Sequence, residues 1–202
     1  AETEVRGVYD LVIVANLEML FADKVTQLET YVKNGGGLLI WVGDRINRVG
    51  YNEQVYKDGQ GLLPAELGEV VEEKDGVVYR LEKINYDHKA LDRFRGFQSK
   101  LTDLMIASFY KTKVDAKRTE EILGESYDIR VLARYDDPDS SPFLIEKRLG
   151  QGKVILVTTS ADIEWNDMIK EAGYLILVGQ LAKYLVAQDQ GGKNVRVGTQ
   201  LQ

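Results

Sequence analysis

The chain has 202 residues, 26 Lys and Arg against 32 Asp and Glu, a net charge of −6 and 44% hydrophobic residues. That length and apolar content suit one α/β domain with a real core, and the acidic balance excludes a broad nucleic-acid surface, which needs a basic footprint. The absence of Cys removes disulfides, thiolate metal sites and cysteine nucleophiles, and the single His removes multi-histidine metal centres.

The chain opens without Met on a polar run, Ala1 to Arg6, which reads as the start of an excised piece of a longer protein. Asp10-Leu-Val-Ile-Val-Ala15 is a short apolar run rich in β-branched residues, expected to form a strand buried on both faces. Between Ala22 and Asn34 the period changes. Val25, Leu28, Tyr31 and Val32 share one helical face, and Asn34-Gly35 supplies a left-handed stop. Leu38-Leu-Ile-Trp-Val42 is a second buried strand, so the first forty residues form a βαβ unit with parallel strands and a right-handed crossover.

The middle is less regular. Gly59 to Pro64 reads as a loop ending in a short helix around Ala65 to Leu67. Val70-Val71 and Val77-Val78 with Leu81 flank Lys74-Asp75-Gly76, which is a hairpin signal. Leu91 to Phe97 reads as a helical turn, and Leu104 to Tyr110 fits either strand or helix. Ile129 to Tyr135 is a strand and Pro138 to Pro142 a turn. Phe143 to Lys147 and Lys153 to Thr158 form a hairpin across Gly150-Gln-Gly152. A closing helix spans Ala172 to Ala187 with Leu177, Leu181, Tyr184 and Leu185 on one face. It is the greasiest stretch, yet Gly179, Gln180 and Lys183 interrupt it, and no run reaches the ~18–20 apolar residues of a membrane span. Residues 1–188 are therefore one α/β domain with a mixed sheet, parallel early and antiparallel late. Residues 189–202 read as a linker and the start of a following segment, with Val195 to Leu201 as its first strand.

Ligands of open α/β sheets bind beyond the carboxyl ends of the strands. Those ends carry Asn16, then Asp44 and Arg45, then Asp162 with Trp165 close behind, a rim able to hold a polar ligand or orient a protein partner. The blander reading is that chains surface there and use Asp or Ser to cap the next helix or turn. A serine triad would need Ser160, the lone His88 and Asp162 or Asp167, but Ser160 lacks the Gly-x-Ser-x-Gly elbow. The acidic run Asp136-Asp137-Pro-Asp139-Ser-Ser141 lacks the spacing of a calcium loop and reads as a solvated turn. Gly35-Gly36-Gly37 precedes a strand and Gly150-Gln-Gly152 lies in a hairpin, so neither glycine cluster is a phosphate loop. No catalytic residue, metal ligand or cofactor is assigned.

From Tyr9 to Asp44 the pattern resembles the class I glutamine amidotransferase-like superfamily, a flavodoxin-like three-layer α/β sandwich with a mainly parallel sheet. Its non-catalytic branch, found in bacterial membrane proteins with von Willebrand factor A domains, is the nearest match. Tyr51-Asn52, Gly61-Leu-Leu-Pro-Ala65, Phe143 to Leu156, Thr159 to Asp167 and Asn194 to Gly198 carry the resemblance along the chain. In the catalytic branches a Cys follows the strand that here ends Trp41-Val42-Gly43, and this sequence has Gly43-Asp44 in its place and no Cys anywhere, so no amidotransferase function transfers. The resemblance implies a β-α unit before Tyr9, whose lack would bare a sheet edge and leave a homodimer open. It also implies a non-catalytic ligand- or protein-binding domain in the cell envelope, attached to membrane through segments outside this chain. The alternatives are a cytoplasmic setting, an atypical Ser-His-Asp hydrolase and a structural spacer.

Overall fold

The computed structural model describes residues 9–72, 74, 76–114 and 129–187. Strand β1 (Leu11–Ala15), helix α1 (Ala22–Lys33) and strand β2 (Gly37–Trp41) form the βαβ unit, with β1 and β2 parallel and Leu11 opposite Gly37. Val25, Leu28, Tyr31 and Val32 are the buried face of α1, as their spacing requires. Asn34 and Gly36 close the helix by donating to Thr30 O and Tyr31 O at 3.1 and 3.0 Å, with Gly35 at φ 101°.

Helix α2 (Arg48–Tyr51) runs into a π turn (Asn52–Tyr56) and a single 3₁₀ turn (Lys57–Gly59). Then come β3 (Glu66–Val71), β4 (Leu81–Glu82), a 3₁₀ turn (Asp92–Gly96), α3 (Ser99–Thr102) and β5 (Phe109–Lys113). Strands β6 (Ile129–Tyr135), β7 (Pro142–Leu149) and β8 (Gly152–Val157) and helix α4 (Ala172–Val186) complete the fold. The main sheet has the order β1-β2-β8-β7-β6-β4. The first three strands are parallel and the rest antiparallel, a mixed sheet between two helical layers. One core, with Val25, Tyr31, Ile40 and Leu156, lies on the α1 face. The other, with Leu39, Trp41, Ile155 and Leu181, lies on the α4 face.

Three expectations change. Ala65 to Leu67 is not a helix: Glu66 enters β3, whose Leu67 is opposite Thr112. The hairpin about Gly76 does not pair its flanks. Val70 and Val71 pair with Tyr110 and Phe109 of β5, while Leu81 pairs with Tyr135 of β6. The turn itself survives as Val77 N–H donating to Lys74 O. Strand β1 is not buried on both faces, because among the described residues it is the edge of the sheet and Ile13 is 49% exposed. The linker and strand read in residues 189–202 lie outside the described residues.

Adjacent charged residues on β7 point to opposite faces. Glu146 reaches Tyr184 of α4, and Lys147, fully buried, donates to Gly59 O at 2.8 Å and to Gly61 O. That ammonium anchors the run Lys57, Asp58 and Gly59, all in the left-handed region at φ 50°, 52° and 84°, a conformation that costs the two non-glycine residues free energy. It thereby fixes where the chain re-enters at β3.

Glycines set the approach of the helices. A Cβ on Gly152 would collide with Val32 O and Gly36 O, whereas one on Gly179, midway along α4, would meet nothing. Gly152→Ala should therefore destabilise the fold by ~2 kcal/mol or more through backbone displacement, and Gly179→Ala should stabilise it by ~1 kcal/mol through helix propensity. Urea denaturation of the two variants checks both signs.

Candidate functional site

Parallel pairing brings the carboxyl ends of β1, β2 and β8 to one edge. Asn16 leaves β1 in the left-handed conformation, φ 45°, with its amide donating to Trp41 O at 2.7 Å. Its side chain turns across the β2 exit: Nδ2 donates to Asp44 Oδ1 at 2.7 Å, and Oδ1 accepts from the Arg45 amide at 3.0 Å. Gly43 must be glycine for this, since a Cβ there would lie 2.5 Å from Asn16 Cγ. The Arg45 side chain is exposed.

Trp165 joins the rim through Tyr110. The rings lie 5.5 Å apart, and the Tyr110 hydroxyl donates to Gly43 O at 3.3 Å. Burial pushes the Tyr110 phenol up, with Arg48 pulling it down and Asp44 raising it. Asp162 is held differently: its Oδ1 accepts from Ser160 Oγ at 2.8 Å and from the Glu164 amide at 3.1 Å. Asn16, Asp44 and Arg45 are thus one hydrogen-bonded unit, Trp165 packs beside it, and Asp162 caps its own turn. The polar groups of the rim are largely satisfied by one another.

Ser160 and His88 do not share a site. His88 Nδ1 accepts from the Ala90 amide at 3.3 Å, and Nε2 faces Glu146 Oε2 at 3.1 Å, within ion-pair range but off the hydrogen-bond line. Neither ring nitrogen is left to act as base for a serine. Glu146 is fully buried opposite Ile155 within β8, whereas Ser160 lies beyond the end of that strand with its hydroxyl on Asp162. The Tyr184 hydroxyl donates to Glu146 Oε1, and the Tyr184 and His88 rings meet edge to face at 5.1 Å. Burial pushes the Glu146 carboxyl up, but His88, Tyr184 and Arg148 outweigh it and leave it below its ordinary value. Burial and the Glu146 charge both push the Tyr184 phenol well up. This cluster ties α4 to β7.

The acidic turn is held by its own and by neighbouring groups, with Asp136 accepting from the Arg80 amide at 2.8 Å and Asp139 pairing with Lys111. Asp137, 7% exposed, accepts from the Ser141 amide at 2.6 Å and the Ser141 hydroxyl at 2.9 Å. Among the described residues no group of three or more His, Asp or Glu is placed to hold a metal ion.

Beside the rim, the β3–β5 ribbon, α2 and the β6–β7 turn enclose a groove of about 980 Å³. Its β3 wall is fixed by Asn52, whose side-chain amide bonds both Leu67 N–H and Leu67 O, at 2.9 and 2.8 Å, in place of a neighbouring strand. Its other wall is the Asp137-braced turn from Asp139 to Pro142. Thr112 lines the groove. It is 8% exposed, and its Oγ1, sealed from solvent, has no hydrogen-bond partner among the described residues. Lys111, also lining the groove, pairs with Asp139, and Arg48 pairs with Glu69 at 2.5 Å. Nothing local in the sequence marks this groove, because it is built from segments remote in sequence, α2, the paired β3 and β5, and the β6–β7 turn. The alternation Lys111-Thr112-Lys113 is the one signal that pointed to a half-exposed strand there.

No family model matches the chain, and no curated protein is significantly similar to it. Solved structures share its fold. A cytoplasmic protein from Salmonella typhimurium superposes with a TM-score of 0.65 at 16% identity, covering 88% of this chain and 72% of that one. A ThuA-like protein from Parabacteroides merdae gives 0.52 at 16% identity, covering 89% and 71%. A β-galactosidase from Bacillus circulans sp. alkalophilus gives 0.57 at 14% identity, and there this chain, 89% covered, spans only 23% of the enzyme. At these identities the likeness shows the fold, a flavodoxin-like α/β sandwich.

The Glu146 cluster makes a pH-dependent contribution to stability. A carboxyl held below its unfolded value stabilises the fold above that value and loses the contribution as pH falls through the folded one. Glu146→Gln should cost ~2 kcal/mol at neutral pH, and the gap from wild type should close as pH drops below about 4. Urea titrations of both proteins across that range measure it.

Proposed function

We propose that this chain is a non-catalytic binding domain that takes a polar ligand in the groove between the β3–β5 ribbon and the β6–β7 turn. One observation carries the reading: both sides of the groove of about 980 Å³ are held in place by the chain's own bonds, Asn52 on Leu67 and Asp137 on Ser141. A pre-formed concavity lined by several polar and charged groups is where small ligands usually bind. A concave site of this kind favours a small ligand over a protein surface and over the role of a mere spacer.

The rim supports the non-catalytic part of the reading. Asn16, Asp44 and the Arg45 amide satisfy each other, and by the resemblance Gly43-Asp44 takes the place of the enzymes' cysteine. For cellular setting, two similar structures are described as cytoplasmic proteins, which supports the cytoplasmic alternative over the envelope. No helix among the described residues is long and apolar enough to cross a membrane. Fractionation of the full-length gene product tests that choice: recovery in the membrane fraction would restore the envelope reading.

Glutaminase and p-nitrophenyl ester assays at high protein concentration test the absence of catalysis. The expected outcome is turnover no faster than buffer. Ester turnover that disappears in Ser160→Ala would instead establish a hydrolase.

A further inference from the structure

The single His of the chain is placed so that one added proton has two opposite effects. Its Nδ1 accepts from the Ala90 amide at 3.3 Å, so that nitrogen carries no hydrogen. The neutral ring therefore holds its proton on Nε2, 3.1 Å from Glu146 Oε2. We propose that His88 is an acid-operated latch: a second proton, taken from solvent onto Nδ1, binds the imidazolium to Glu146 and releases the Ala90 amide, loosening the stretch from Asn85 to Gly96. The latch shares no residue with the groove and is independent of what binds there.

A backbone amide can only donate, so a hydrogen on Nδ1 turns the contact with Ala90 into a meeting of two donors. Ala90 is fully buried, and a buried amide without an acceptor is costly enough to move the chain. Gln180 of α4 also holds this stretch, donating to Lys89 O at 2.8 Å and to Asp92 Oδ1 at 3.0 Å. With Leu91 and Phe94 buried as well, the freed stretch loosens rather than detaches. On the other side of the ring the added charge is welcome. Hydrogen bonds and nearby charge hold the Glu146 carboxyl below its ordinary value despite burial, so it remains ionised while an imidazole charges. The remaining charged and titratable neighbours are few. Arg148 of β7 faces Glu146, and the Tyr184 phenol, pushed up by burial, stays a donor to it. Lys153 of β8 lies over the Tyr184 ring, 4.5 Å from its centre. On the stretch itself Asp87 pairs with Arg95 at 2.8 Å, Asp92 takes Gln180, and Lys89 is exposed.

Because the chain has one His, nitrogen-15 histidine spectra of the full protein report one ring without ambiguity. At about pH 8 the ring should show the Nε2–H tautomer, with Nδ1 bare. Imidazoles ordinarily charge between about pH 8 and about pH 5. Over that range the amide protection of Ala90 should fall about tenfold in step with the ring, while amides of β2 and β8 keep theirs. His88→Asn keeps an acceptor for the amide two residues on but takes up no proton, so Ala90 should stay protected throughout. Glu146→Gln removes the counter-charge and should move the Ala90 step to lower pH. The Nδ1–H tautomer at high pH, or Ala90 protection that does not follow the ring, would overturn the latch. So would the same step in His88→Asn, a step unmoved in Glu146→Gln, or a loss of protection shared by β2 and β8.

Discussion

The structure depends on the parallel pairing of β2 with β8. Gly37 sits opposite Lys153 and Trp41 opposite Val157, so two strands far apart in sequence lie side by side, both buried on both faces. Parallel neighbours cannot be joined by a tight turn. Everything between them is an excursion that must leave the carboxyl edge of the sheet and return. The close approach at the opposite edge, where Gly152 meets the end of α1 and Gly37 lies against Leu185 of α4, locks the pair in place.

That excursion builds the rest. It leaves through Gly43 and Asp44, is pinned there by Asn16, runs through α2, and is caught again by Lys147 before β3. It then makes the β3–β5 ribbon, which returns to the main sheet where the Tyr110 amide donates to Thr158 O at 2.8 Å. The groove lies between this ribbon and the strand pair that completes the sheet. The two buried charges of β7 serve opposite faces. Lys147 positions the ribbon's entry, and Glu146 with His88 and Tyr184 fastens α4. Polar groups that might suggest chemistry are thus used to hold the chain.

Segments whose structure is set by local periodicity were legible in the sequence. The four buried residues of α1, the β7–β8 hairpin and the buried face of α4 are dictated by spacing alone. Segments set by distant partners were not. Val70 and Val71 look like one side of a hairpin because Asp75-Gly76 comes next, but Phe109 and Tyr110 bond them instead. Strand β1 carries a fully apolar run although Ile13 is half exposed at an edge, since composition does not reveal which neighbours are present. The rim was readable from topology, and Asn16, Asp44 and Arg45 do lie together. Its satisfaction by internal hydrogen bonds was not readable, nor was the groove, because both depend on side-chain geometry across remote segments.

Amide hydrogen exchange at Arg45 tests most directly whether the rim is spent on holding itself. Slow exchange is expected in the intact protein, where Asn16 Oδ1 accepts the Arg45 N–H, and fast exchange in Asn16→Ala. Fast exchange at Arg45 in the intact protein, unchanged by that substitution, would mean the rim is open to ligand and would contradict a self-satisfied, non-catalytic rim.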